Sequence, residues 1–235
     1  MKASLKRRVI AEFTGSQFLL SAVVGSGIMG ERLAGGNIAI TLLANTIATG
    51  AALVALILAF GPISGAHLNP VVTLADAWQG GISWRETPAY FVAQTAGAFT
   101  GVATAHLMFG LPIYSISKHA RSGPAQIFSE FIATFGLMAV IWGCARSRPA
   151  VVPFAVGAYI TAAYWFTAST SFANPAVTLA RSVTNTFSGI WPADTPAFVA
   201  AELAGAFGAT LLFRWLMPPI KSGSLVALVN DDLAV

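Results

Sequence analysis

SFANPAVTLAR, residues 171–181, contains an octapeptide, NPAVTLAR, that echoes NPVVTLAD at 69–76. Six of the eight positions match, at an offset of 105 residues. Asparagine is a strong helix N-cap and proline suits the first helical turn, so each copy reads as the start of a short helix. A break precedes each copy: GPISGAHLNP in the first half and TASTSFANP in the second, both rich in Gly, Pro, Ser and Asn. The same break and the same helix start, used twice, suggest two related halves.

The surroundings of both copies are apolar. Of the 235 residues, 56% are hydrophobic and 9% are charged, and the mean hydropathy is +0.72. A soluble domain carries about 25% charged residues, so this is the composition of a membrane protein. The net charge of +4 comes from scattered residues that form no basic stripe, which argues against nucleic acid as a partner. The basic start MKASLKRR precedes an apolar segment that holds Glu12 and lacks a clear cleavage site, so no cleavable signal is expected. Cys144 is the single cysteine. A disulfide within one chain is excluded, and its apolar run predicts a small buried hydrophobe. With no nucleophile–base set and no cluster of metal ligands, neither an enzyme nor a metal or cofactor site is expected.

A helix needs roughly 20 apolar residues to cross a bilayer. Six such spans are predicted, at about 9–29, 38–60, 87–108, 124–144, 150–168 and 195–216. Two runs free of acidic and basic charge, 37–75 and 149–180, are longer than one span requires. Each begins as a span, meets the break, and resumes with a piece too short to cross again. The simplest reading is a re-entrant loop followed by a half-helix, which is tolerated at that depth only inside protein or beside a water-filled cavity. Lys2, Lys6, Arg7, Arg8, Arg85, Arg146, Arg148, Arg214 and Lys221 fall on one side of this scheme, and Arg32, Lys118, Arg121 and Arg181 on the other. Nine against four predicts both termini in the cytoplasm.

Three spans per half place equivalent segments in opposite orientations. TPAYFVAQTAGAFTG at 87–101 aligns with TPAFVAAELAGAFGA at 195–209, with eight of fifteen positions identical at an offset of 108. Span one opens AEF at Ala11 and span four opens SEF at Ser129. The expectation is one domain over 1–235, with inverted repeats at about 8–110 and 124–217. Thr-Pro predicts a helix start with threonine as the cap. Small residues four apart (Ala93, Gly97 and Gly101; Ala201, Gly205 and Ala209) predict close helix crossings. Inverted repeats with interrupted segments at corresponding positions predict a substrate path between them. In that geometry the half-helices beginning at Asn69 and Asn174 meet near the bilayer centre. Their N-terminal dipoles repel cations, while their amides and nearby backbone carbonyls serve neutral hydroxylic solutes.

SGAHLNPVVT, SFANPAVT, AEF and SEF together resemble the major intrinsic protein family, the aquaporins and aquaglyceroporins, over nearly the whole chain. The resemblance implies an all-α membrane protein of six transmembrane helices and two re-entrant half-helices, assembled as a homotetramer with one pore per subunit. It makes Asn69, Pro70, Val71, Asn174, Pro175 and Ala176 the paired pore motif. Glu12 and Glu130 become buried loop braces, the only intramembrane titratable pair seen in the sequence. His67 takes a structural or cytoplasmic-vestibule role, while His106 is expected at a helix end and His119 in the outer loop. Val71 replaces the family's usual alanine, a change expected to be absorbed by repacking.

A second departure lies at Val177, where members usually carry arginine. Counting back from the motif asparagines as in the family gives Thr49, Ala162 and Ser171 as the other filter positions. The set implies a wide, mildly polar opening, similar to a bacterial subgroup associated with arsenic resistance. Arg181, four residues beyond Val177, is expected near the outer vestibule, with surface or loop bracing favoured over contact with the solute path. The function so implied is a passive channel for polyols such as glycerol, metalloid hydroxides such as arsenite, and water, in a bacterial inner membrane. A coupled transporter or a closed-pore structural protein is the alternative.

Overall fold

The structure, a computed structural model, describes residues 3–217, so Lys2 and Lys221 lie outside the described residues. Eight α-helices follow in order among them: α1 (Leu5–Leu33), α2 (Ile38–Ser64), α3 (Pro70–Gln79), α4 (Thr87–Met108), α5 (Pro124–Ala145), α6 (Val152–Phe166), α7 (Pro175–Arg181) and α8 (Thr195–Leu216). Short 3-10 turns, Pro149–Val151 and Pro192–Asp194, lead into α6 and α8. The described residues contain no strand. Helices α3 and α7 are the two short ones, and they begin where the octapeptides begin.

Five segments are long and apolar enough to cross a bilayer; α4 is the long helix outside that set. Its 22 residues suffice in length, but Gln94, Thr95, Thr100, Thr104 and His106 lower its hydropathy. Gln94 and His106 are fully buried, so α4 hides its polar face inside the protein. The starts of α1 and α4 lie on one face, joined by Arg8 and Glu86 at 2.5 Å. The ends of the same helices lie on the other face, where Arg32 Nη2 donates to the Phe109 carbonyl at 2.8 Å. Both helices therefore run in the same direction, as the span scheme requires.

The small-residue stripes lie where α4 crosses α1 and where α8 crosses α5. A Cβ on Gly97 would collide with the Phe13 backbone, and one on Gly205 would stand 2.5 Å from the Phe131 carbonyl oxygen. Backbone atoms cannot swing aside as a side-chain tip can. Gly97→Val should therefore destabilise the fold by the overpacking cost of about 1–3 kcal/mol. It should appear as a thermal midpoint several degrees lower in detergent.

Two local expectations are corrected. Thr87 and Thr195 are first-turn residues rather than caps; Glu86 and Asp194 occupy the cap positions, without side-chain cap bonds. Thr87 instead donates from its hydroxyl to the Ser83 carbonyl. Cys144 is only partly buried in the single chain, because the last turn of α5 opens toward the surface. His106 closes α4, with Nδ1 2.6 Å from the Pro112 carbonyl and Nε2 2.7 Å from Thr184 Oγ1, and His119 lies exposed in the loop that follows.

Candidate functional site

The two loops before α3 and α7 adopt matching backbones. Ala66 and Leu68 in the first loop, and Ser171 and Ala173 in the second, have φ between 46° and 52°. Such left-handed residues cost energy and persist only when their surroundings hold them. Glu12 supplies that hold in the first half. It is fully buried and accepts from His67 N at 3.0 Å, Leu68 N at 2.7 Å, Ser64 Oγ at 2.6 Å and Gln94 Nε2 at 2.8 Å. In the second half Glu130 accepts from Phe172 N at 2.9 Å and Ala173 N at 2.8 Å. Beside it Glu202 accepts from Asn174 N at 3.1 Å and Thr178 Oγ1 at 2.6 Å. Glu202 is thus a third buried intramembrane carboxyl, which corrects the count of two. The signal was present: Glu202 aligns with Gln94 in the repeat, and both reach the loop at the same place.

With the N–H groups of each loop drawn back to these carboxyls, the opposite carbonyls stay unspent. Among the described residues no donor reaches the carbonyl oxygens of Gly65, Ala66 and His67, or of Thr170, Ser171 and Phe172. Asn69 and Asn174 then tie the halves together. Asn69 Nδ2 donates to the Ala173 carbonyl and Asn174 Nδ2 to the Leu68 carbonyl, both at 2.8 Å. Their Oδ1 atoms cap the short helices, accepting from Val71 N and from Ala176 N, each at 3.0 Å. One amide proton of each asparagine is thereby committed to the partner loop, and one is left.

A cavity of about 240 Å³ runs past this junction, with Asn69 and Asn174 in its wall. One side is the polar pair of loops; the other is apolar, with Val23, Leu53, Leu137, Val156 and Ile160 among its residues. His67 lines it, with Nδ1 3.0 Å from Thr73 Oγ1 and Nε2 3.6 Å from Asp76. Pro70, Pro175 and Ala176 open the short helices, and Ala176 is packed at 1% exposure. Val71 faces away from the cavity into a cluster with Met138 and Ala206, while Val72 and Val177 line it.

Of the four filter positions read from the sequence, Thr49, Ser171 and Val177 meet in the cavity wall and Ala162 does not. Ala162 lies on the exposed face of α6. Tyr164 takes the place instead, lining the cavity and donating from its hydroxyl to Thr49 Oγ1 at 3.3 Å. Counting twelve residues back from Asn174 presumes the family's usual loop length. Two residues of α-helix turn by about 200°, so an error of two puts the wrong face inward. Ser171 Oγ is buried without a partner.

Arg181 is not at the surface. It is 2% exposed and lines the cavity; its Nε donates to the Ser188 carbonyl, and its guanidinium lies 3.4 Å from the Phe172 ring centroid.

Six long helices and two half-helices, joined by crossed asparagines beside a lined cavity, define a multi-pass α-helical membrane protein with a re-entrant pair. The chain belongs to the major intrinsic protein family, whose sequence profile matches residues 1–170. This is a family of channels rather than enzymes. The chain is similar to the aquaglyceroporin AqpS of Rhizobium meliloti (strain 1021), with 57% identity over 217 residues, 92% of this chain and 93% of the relative. It is 34% identical over 230 residues to Aquaporin NIP1-3 of Oryza sativa subsp. japonica, covering 94% of this chain and 78% of that one. The X-ray structure of the aquaglyceroporin from Plasmodium falciparum shares the fold, with a TM-score of 0.68 at 22% identity, covering 90% of this chain and 95% of that one.

Proposed function

We propose that this chain forms a passive pore for small uncharged solutes: polyols such as glycerol, metalloid hydroxides such as arsenite, and water. The observation that carries this reading is the cavity between one wall of unspent carbonyls and one apolar wall. A hydroxylic solute donates to the carbonyls, accepts from the free asparagine protons, and lays its carbon or metalloid face on the apolar side. Undissociated arsenous acid fits the same description, since it is small, uncharged and rich in hydroxyls. Valine at 177 keeps the filter wide, and Thr49, Ser171 and Tyr164 line it. The two halves act as inverted repeats of a single channel domain over 1–235.

The similarity to an aquaglyceroporin supports the polyol part of the reading. An outer belt of exposed apolar side chains, with Phe18 at 57% and Ile40 at 53%, supports a lipid boundary. The assembly proposed is a homotetramer in a bacterial inner membrane with both termini cytoplasmic. Glu12, Glu130 and Glu202 sit behind the loops and outside the cavity wall, which favours bracing over proton-coupled transport.

The test is uptake by proteoliposomes. Glycerol and arsenite should cross several-fold faster than in empty vesicles, with no accumulation against a gradient. Passage of water alone would falsify this reading.

A further inference from the structure

The loops account for most polar groups around the cavity, but not for Arg181. Val177 supplies neither a charge nor a donor at the position after Asn-Pro-Ala. Arg181 lies one turn further, about 6 Å along the axis of α7, and its side chain joins the same cavity wall. Nε is spent on the Ser188 carbonyl, and the guanidinium lies against Phe172. Nη1 is buried and has no partner. No carboxylate pairs with it among the described residues, because Glu130 and Glu202 direct their bonded oxygens at the loop of α7. Arg121 stands behind the same ring at 5.1 Å, held by the Gly189 and Ser169 carbonyls, and does not reach the cavity wall. A buried cation near Glu130 and Glu202 but bonded to neither is costly inside a membrane and marks function.

We propose that Arg181 is a specificity-determining residue of the outer filter, supplying from one turn beyond Val177 the fixed positive charge that position 177 lacks. Selection by size and selection by charge are thereby separated. The opening stays wide at Val177 and admits bulkier neutral solutes, while the charge above it excludes sodium, potassium and protons. This rests on the channel reading above.

The test compares the unaltered protein with Arg181→Gln and Arg181→His in proteoliposomes, measuring decay of a potassium diffusion potential beside glycerol uptake. Arg181→Gln should pass potassium about tenfold faster or more, since the repulsion from a nearby unit charge is gone. Arg181→His should leak at pH 8 and seal at pH 5.5, because imidazole gains its charge as pH falls between them. Glycerol uptake above that of empty vesicles shows which variants insert and open. A glutamine variant that passes glycerol and leaks no more than the unaltered protein overturns the proposal. So does a leak in the histidine variant that does not vary with pH, which decides the matter if the glutamine variant fails to insert. Failure of the channel reading is separate, and shows as no glycerol or arsenite uptake by the unaltered protein.

Discussion

Val177→Arg should cut glycerol uptake by about 5- to 150-fold while leaving water flux within about threefold. Val177 is 6% exposed and shares the cavity wall with Thr49, Tyr164 and Ser171. A longer side chain there fills the space that a polyol needs. If the solute meets a steric cost like that of an overpacked core, about 1–3 kcal/mol, its rate falls by up to about 150-fold. Water is small enough to pass. The variant also brings a second cation within about one turn, or 6 Å, of Arg181. Two unit charges at that spacing repel by about 3 kcal/mol at an effective dielectric of about 20. The thermal midpoint should therefore fall, and adding Arg181→Gln should restore it without restoring glycerol uptake. Stopped-flow shrinkage in water and glycerol gradients reads both fluxes. An unchanged glycerol-to-water ratio would show that Val177 does not bound the constriction.

What the sequence disclosed follows the range of each interaction. Asn69 and Asn174 were readable because a cap is a local device: asparagine, then proline, then an apolar half-turn. The same holds for the outline of the six spans, which depends on length and hydropathy alone. Even there α4 is the weakest, since its polar residues are paid for by partners far away in sequence, Gln94 on Glu12 and His106 on Thr184. Tyr164 was missed because the direction a helical side chain faces depends on the count through the preceding loop, and an error of two residues reverses it. Glu202 could have been found, since the aligned repeat sets it opposite Gln94 and a carboxyl in a span calls for a partner. Arg181 could not. Whether its guanidinium turns outward or inward is decided by the Ser188 carbonyl and Phe172, which only the folded loops bring beside it.

Glu12→Gln should destabilise the folded channel, whereas Glu202→Gln should leave it intact. Glu12 uses both oxygens: Oε1 accepts from Ser64 Oγ and His67 N, and Oε2 from Leu68 N and Gln94 Nε2. An amide can present one oxygen only; the Ser64 hydroxyl or a turned Gln94 amide can accept from its NH2 group, but the backbone N–H of His67 or of Leu68 is left unpartnered. That buried orphan costs about 1–3 kcal/mol, against a typical total stability of about 5–15 kcal/mol. The strained residues Ala66 and Leu68 lose part of their hold at the same time. The yield of monodisperse protein should fall several-fold, and total solute flux with it. Glu202 differs in that Oε1 takes both of its bonds, from Asn174 N and Thr178 Oγ1, while Oε2 has no partner. A glutamine keeps its oxygen at the Oε1 position and places NH2 at the vacant one, beside Glu130. That reproduces the first half, where Gln94 donates to Glu12 and to Thr73 Oγ1 at 2.9 Å. Yield and glycerol uptake should stay within about twofold, and the thermal midpoint should hold or rise, since one of two crowded buried carboxyls is gone. Collapse of Glu202→Gln to the level of Glu12→Gln would mean that charge, not the placement of acceptors, holds the second loop.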